Sequence, residues 1–428
     1  MRKLFLPLFC FSLFSCSPKI QQVLTKKISQ AENELQHHIG FVVQDVSSNK
    51  IIFQHQADKY FTPASNTKVF TFYAALKILG DSLPALRYRE TNDSLIFQGV
   101  GDPSFLNPFV FHSSRTFNFL RNNPRPLYLV SSQLKPERFG TGWAWDDYIG
   151  DYQPERSTFP IYSNLVKASY QPNQIKIYPN RFVSNCTIGS TKNELELKRE
   201  EFANTFIIHP PKNGKKTETY SPFIPNDSVV HQLLQDTLLR KIHFTTQDLN
   251  RKDKLLFAAP TDSILKVMMQ DSDNFLAEQI LMQCSFVISD SLLVEPAINF
   301  VQRNYLADLP DRLIWKDGSG LSRYNLATPR TILAIWQKIL EEREIGYLEK
   351  LLPAGGESGT IKNWYKDDTP YIFAKTGTLA NNHSLSGLLK TKSGKVLLFS
   401  YMNANYTNGA TLVRKQMQTI FEYLRDHY

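Results

Sequence analysis

Apolar positions are sparse between residues 17 and 38, where the chain reads as a polar, helical lead-in. Short β-like runs at 40–44 and 51–54 predict two strands, joined by the Ser- and Asn-rich turn 45–50. Pro63-Ala64-Ser65 then opens a predicted helix that runs to about Leu79 and is stopped by Gly80-Asp81. Val69, Phe70, Phe72, Tyr73, Ala74, Ala75, Leu76, Ile78 and Leu79 cover nearly every face of it, which marks a buried helix. Ser65 is therefore expected at the mouth of a central rod.

The texture changes between 81 and 252. Short β-like runs (94–97, 126–130, 174–178, 204–209) alternate with Pro, Asn, Gly and Ser clusters. One amphipathic helix at 227–241 carries Val230, Leu233, Leu234 and Leu238. Helical spacing returns at 261–270, with Ile264, Leu265, Val267 and Met268, then at 275–285 and 328–340. The segment Asp271-Ser272-Asp273-Asn274 breaks the first two of these apart. Strands are expected at 371–375, 384–391 and 395–401, with Lys392-Ser393-Gly394 turning the last pair. A closing helix at 410–425 is expected to turn Leu412, Met417, Ile420, Phe421 and Leu424 inward. The fold class predicted is α+β: one antiparallel sheet built from both chain ends, with helices on its two faces. That discontinuous domain takes 16–80 and 253–428. The stretch 81–252 is an inserted, mostly β region of about 170 residues, enough for a domain or two.

Composition narrows the setting. The 428 residues are 42% hydrophobic and 21% charged, as in an ordinary globular protein. Met1-Arg2-Lys3 and the apolar run 4–14 differ from the rest and read as a secretory signal, too short to span a bilayer. The run ends Leu13-Phe14-Ser15-Cys16, similar to the lipobox of bacterial lipoproteins. Residues 1–15 are thus expected to be a removed signal, with Cys16 lipidated, a membrane anchor and a periplasmic location. Losing Arg2 and Lys3 lowers the formal charge of +9 but leaves it positive. No Lys/Arg block or motif supports nucleic-acid binding. Cys186 and Cys284 are too few for a disulfide framework and read as buried free thiols. Nothing has metal-ligand spacing, so neither metal nor cofactor is expected.

Three short motifs carry the chemistry. A serine followed three residues later by lysine occurs at Ser47, Ser65, Ser132 and Ser263, so the spacing proves little. Ser65 differs because it starts a buried helix, where free N–H groups and the dipole favour developing negative charge. Lys68 lies one turn along on the same face. A lysine serves as a base when burial and a neighbouring cation depress its pKa. Ser272-Asp273-Asn274 sits in the break between two helices, where it can aim a hydroxyl and an amide into a cleft; Asp273 is taken as structural. Lys375-Thr376-Gly377, followed by Thr378, ends an apolar strand and occurs once. Gly377 lets a substrate backbone approach closely, and Lys375 is expected to be the cation that keeps Lys68 neutral.

This trio in this order resembles the D-alanyl-D-alanine carboxypeptidase/endopeptidase family of low-molecular-mass (class C) penicillin-binding proteins, which share a β-lactamase/transpeptidase-like domain. Gly101-Asp102-Pro103-Ser104, Gly142-Trp143-Ala144-Trp145-Asp146-Asp147-Tyr148 and Asp317-Gly318-Ser319-Gly320-Leu321-Ser322 resemble further family segments. The resemblance implies that Ser65 is the acylating nucleophile and Lys68 its base. It implies that Ser272 relays the proton and that Asn274 binds the substrate carbonyl or holds Lys68. Lys375, Thr376, Gly377 and Thr378 would bind the terminal carboxylate side, and backbone N–H groups of Ser65 and Thr378 the oxyanion. Asp147 matches the acid that meets the free amine of the cross-linking diamino acid. Peptidoglycan stem peptides are then the substrates and β-lactams covalent inhibitors. Two rivals stay open: a β-lactamase or esterase on the same scaffold, for which Glu295-Pro296-Ala297-Ile298-Asn299 is the one suggestive segment, and a non-catalytic wall-binding protein. Glu295 is read instead as a helix start, with Pro296 in its first turn.

Overall fold

The computed structural model describes residues 17–110, 113–131, 136–172 and 174–428. The leader, Cys16 and the Ser132 motif lie outside the described residues. Both chain ends contribute to one five-stranded sheet, in the order Ile372–Leu379, Asn382–Lys390, Val396–Ala404, His38–Asp45, Ile51–His55. All its pairs are antiparallel, and His38 pairs with Ala404 where the two chain ends meet. Its strands read as apolar runs because helices cover both faces. One face packs on Ser17–Leu35 and Ala410–His427 around Phe41, Tyr401 and Phe421. The other packs on Lys68–Ile78, Asn274–Ser289 and Pro329–Glu342 around Phe70, Leu276 and Trp336.

The helix Ala410–His427 corrects one expectation. Leu412 is 43% exposed, and Val413 takes the inward position instead. Val413, Met417, Ile420, Phe421 and Leu424 keep the helical step of three or four that Leu412 breaks.

The inserted region begins with the strand Ser82–Glu90 and returns through Lys254–Pro260, which pairs antiparallel with it. The inserted sheet therefore reaches past residue 252, the expected boundary. Its entry and exit are neighbouring strands, so the insertion plugs into the discontinuous domain through two adjacent connections. Leu95–Gly99, Leu127–Val130 and Ile242–Thr245 complete that sheet, and the last three strands are mutually parallel. Two three-stranded sheets and the helices Arg115–Asn122 and Asp227–Leu238 fill the rest. Val230, Leu233, Leu234 and Leu238 are buried, as their spacing predicts. Cys284 is buried, Cys186 only half-buried, and both thiols are free.

Candidate active site

Ser65 sits in a 3-10 turn, Ala64–Thr67, that leads straight into the α-helix Lys68–Ile78. Ala64 has φ +49°, an unusual value for a residue with a side chain, so the turn is held by its surroundings. The holding group is Gly320, whose φ is +88°; a Cβ there would lie 1.9 Å from the Ala64 carbonyl oxygen. Only glycine fits that position. The strand Ile372–Leu379 presses from the other side: a Cβ on Gly377 would sit 2.4 Å from the Pro63 carbonyl oxygen.

The break between Thr261–Gln270 and Asn274–Ser289 is built residue by residue. Ser272 adopts φ +60°. Asp273 caps the next helix, its Oδ1 accepting from the Leu276 N–H at 2.8 Å. Asp273 thus has the structural place expected of it. The reversal turns Ser272 and Asn274 toward the same cleft.

Direct hydrogen bonds connect all three motifs pairwise. Lys68 Nζ donates to Ser65 Oγ at 3.0 Å and to Asn274 Oδ1 at 2.5 Å. Its third bond goes to the Ser319 carbonyl at 2.8 Å. Lys375 Nζ donates to Ser272 Oγ at 2.8 Å and to the Thr376 carbonyl at 2.8 Å. Asn66 Nδ2 donates to the Lys375 carbonyl at 3.1 Å and to Ser384 Oγ at 2.8 Å. Thr376 Oγ1 donates to Thr360 Oγ1 at 2.8 Å, and the exposed Thr378 pairs its hydroxyl with His383 Nδ1 at 2.8 Å. Asp147, half-buried in the turn Trp145–Ile149, accepts from the Tyr152 hydroxyl at 2.6 Å. The Tyr152 carbonyl in turn accepts from Asn274 Nδ2 at 2.9 Å. The structure therefore ties Asp147 to the same cleft through one residue. Glu295 is not there: it opens the helix Glu295–Tyr305, exposed, and lines a separate cavity of about 810 Å³ that Ser65 does not border.

Both lysines are fully buried, and burial disfavours the ammonium form. It brings Lys68 down to about 8, opposed by the negative charges of Asp273, Asp317 and Glu278. Lys375 is pushed well below the ordinary lysine value, by burial first and by Lys68 second. This corrects the expected division of labour. Burial, more than the Lys375 cation, prepares Lys68 to accept a proton. An amine brought down to about 8 and 3.0 Å from a hydroxyl at a helix mouth is an arrangement that, once its proton is lost, makes an alkoxide-like nucleophile.

Compared with known families, residues 20–425 match the D-Ala-D-Ala carboxypeptidase 3 (S13) family. The chain belongs to this family. As an S13 member it is a serine-type D-Ala-D-Ala peptidase. Among its relatives is the D-alanyl-D-alanine carboxypeptidase DacB of Haemophilus influenzae, 22% identical, with 95% of this chain and 92% of the relative covered. The D-alanyl-D-alanine carboxypeptidase of Actinomadura sp. is also 22% identical, over 95% of this chain and 87% of its own. Among solved structures, the fold is similar to penicillin-binding protein 4 of Haemophilus influenzae. The TM-score is 0.76 at 21% identity, with 93% of this chain and 99% of that one covered. A predatory peptidoglycan endopeptidase from Bdellovibrio bacteriovorus shares the fold at a TM-score of 0.54 and 15% identity, over 91% and 92%.

Several groups of this S13 site escaped sequence reasoning. Asn66, fully buried, bolts the Ser65 turn to the Lys375 strand. The Ser319 carbonyl holds Lys68. Arg156 and Glu278 stand behind Ser319. Glu278 did leave a signal, as the one charged residue in the otherwise uncharged helix Asn274–Ser289.

Proposed function

We propose that this S13 peptidase cleaves peptidoglycan stem peptides through an acyl-enzyme at Ser65. It releases the terminal D-alanine or opens the D-alanyl link to a cross-linking diamino acid. The carrying observation is the buried Lys68 amine, 3.0 Å from Ser65 Oγ and fixed by Asn274 and Ser319.

Lys68 takes the Ser65 proton as Oγ attacks the carbonyl carbon of the scissile D-Ala bond, and the new C–O bond places negative charge on the carbonyl oxygen. The Ser65 and Thr378 N–H groups are assigned to stabilise that charge, by several kcal/mol in typical oxyanion holes. The C–N bond then breaks, and the departing amine takes the proton held by Lys68, relayed through Ser272, whose hydroxyl is bonded to Lys375. Water then attacks the ester carbonyl and gives a proton to the neutral Lys68; the C–Oγ bond breaks, and Lys68 returns that proton to Ser65 Oγ. Lys375, Thr376 and Thr378 line the edge for the leaving group's carboxylate. Asp147, whose Oδ1 accepts from the Tyr152 hydroxyl, takes the free amine of the diamino acid.

β-Lactams carry a strained amide and a carboxylate in the same relation, so they acylate Ser65 covalently. The solved complex of Haemophilus influenzae penicillin-binding protein 4 with a β-lactam supports this reading. The basic start, the apolar run and Leu13-Phe14-Ser15-Cys16 support a lipid-anchored protein of the periplasm. Incorporation of labelled palmitate, lost in Cys16→Ser, tests the anchor. Digestion of purified muropeptides with mass analysis tests the substrate: loss of one alanine from monomers and splitting of dimers give different masses. Intact muropeptides after prolonged incubation, with Ser65 unacylated by penicillin, would sink the reading.

A further inference from the structure

Beside Tyr152, the insertion reaches the Lys68 side of the cleft through Arg156 and Trp143. Arg156, 5% exposed, lies in the inserted region and forms an ion pair with Glu278, 1% exposed, in the helix after the Ser272 break. Arg156 Nε and Nη2 both donate to Glu278 Oε2, at 3.0 and 2.6 Å. The other carboxylate oxygen, Oε1, accepts from the Ser319 N–H at 2.8 Å. Ser319 presents its carbonyl to Lys68 Nζ at 2.8 Å. An unbroken line of bonds thus runs from the insertion to the base. A second line runs beside it. Trp143, also from the insertion and stacked under the Arg156 guanidinium at 5.1 Å, donates through Nε1 to Asp317 Oδ2 at 2.8 Å. Asp317 in turn accepts from the Gly320 and Ser322 N–H groups and from Asn325, which shapes the loop against the nucleophile turn.

We propose that Arg156 and Glu278 are a positioning pair, through which the inserted region sets where the Lys68 amine sits and how firmly it holds its proton. The inference rests on Ser65 and Lys68 being the acylating pair. The charges that face Lys68 are Asp273 from the helix cap, Glu278 from the helix body, Asp317 from the loop and Lys375 from the strand. Among them Glu278 alone is ion-paired to a residue of the insertion. Its carboxylate favours the charged lysine; the guanidinium, one step farther away, offsets part of that. Without Arg156 the buried carboxylate would face Lys68 uncompensated.

The test is the pH profile of acylation by a chromogenic penam, in wild type, Glu278→Gln and the double variant Arg156→Met/Glu278→Gln. Gln keeps the acceptor for Ser319 and removes the negative charge. The acidic limb is expected lowest in Glu278→Gln, down by about one pH unit, with the double variant between it and wild type. The double variant is expected to fold, since replacing a buried ion pair by uncharged residues of like size is often tolerated. It carries the test alone if the single variant does not fold, and its limb must then lie below that of wild type. A merely structural role predicts slower acylation at every pH with unmoved limbs, and that result would overturn the proposal. Labelling that persists in Ser65→Ala would instead overturn the reading of the site on which it rests.

Discussion

Each side of the cleft buries one lysine, and the two sides hold it by different means. On the helix side Lys68 has three hydrogen-bond acceptors and faces Asp273, Asp317 and Glu278. On the strand side Lys375 bonds a hydroxyl and a carbonyl, and the charge that bears on it is Lys68 itself. Protein carboxylates therefore oppose the burial of Lys68, which is brought down to about 8, while burial and the Lys68 charge push Lys375 well below the ordinary lysine value. On the proposed reading, the strand-side amine gains its counter-charge from the substrate's own carboxylate. An arriving carboxylate favours charged Lys375, and charged Lys375 presses the proton off Lys68. The contrast teaches that substrate recognition and base activation are electrostatically joined, with Ser272 and Asn274 between them.

The largest expected effect falls on the helix side. Lys68→Ala should slow acylation by a penam by about 10³-fold, the range of a lost general base. A loss of only a few-fold in stopped-flow measurements would break the comparison at its root. Lys375→Met should cost about 10²-fold, mostly through electrostatic stabilisation and substrate placement. Its diagnostic is the acidic limb, which should rise, because removing a like charge lets Lys68 hold its proton more tightly. A falling limb would reverse the assigned coupling. In the wild type, acylation should climb about tenfold per pH unit below the Lys68 pKa and flatten above it. The sign follows from the neutral amine being the active form, with the proton lost near pH 8. The smallest effect belongs to Asp147→Asn. It should raise KM about tenfold for muropeptides with a free diamino-acid amine and leave penam acylation unchanged, the scale of one lost charged hydrogen bond. Equal effects on both ligands would remove Asp147 from substrate recognition.

The sheet and its flanking helices were legible because long periodic runs dictate them. Thr261–Gln270 and Gln174–Tyr178 fall on the residues that spacing predicts. Ile242–Thr245 did not stand out, since a four-residue strand is settled by its partner, here Leu127–Val130, rather than by its own pattern. The same reason hid the parallel pairs in the insertion. Within the site, the motif side chains were readable because their chemistry is written in residue type and order. The Ser319 carbonyl was not, since a backbone oxygen has no letter in the sequence. Arg156 was hidden too, because only the fold brings it 122 positions along the chain to Glu278.

The most direct test of the central claim is the intact mass of the protein after brief exposure to benzylpenicillin, followed by peptide mapping. One penicilloyl adduct on the peptide that contains Ser65, absent from Ser65→Ala, is the predicted result. An adduct mapped to any other residue, or undiminished in Ser65→Ala, would contradict it.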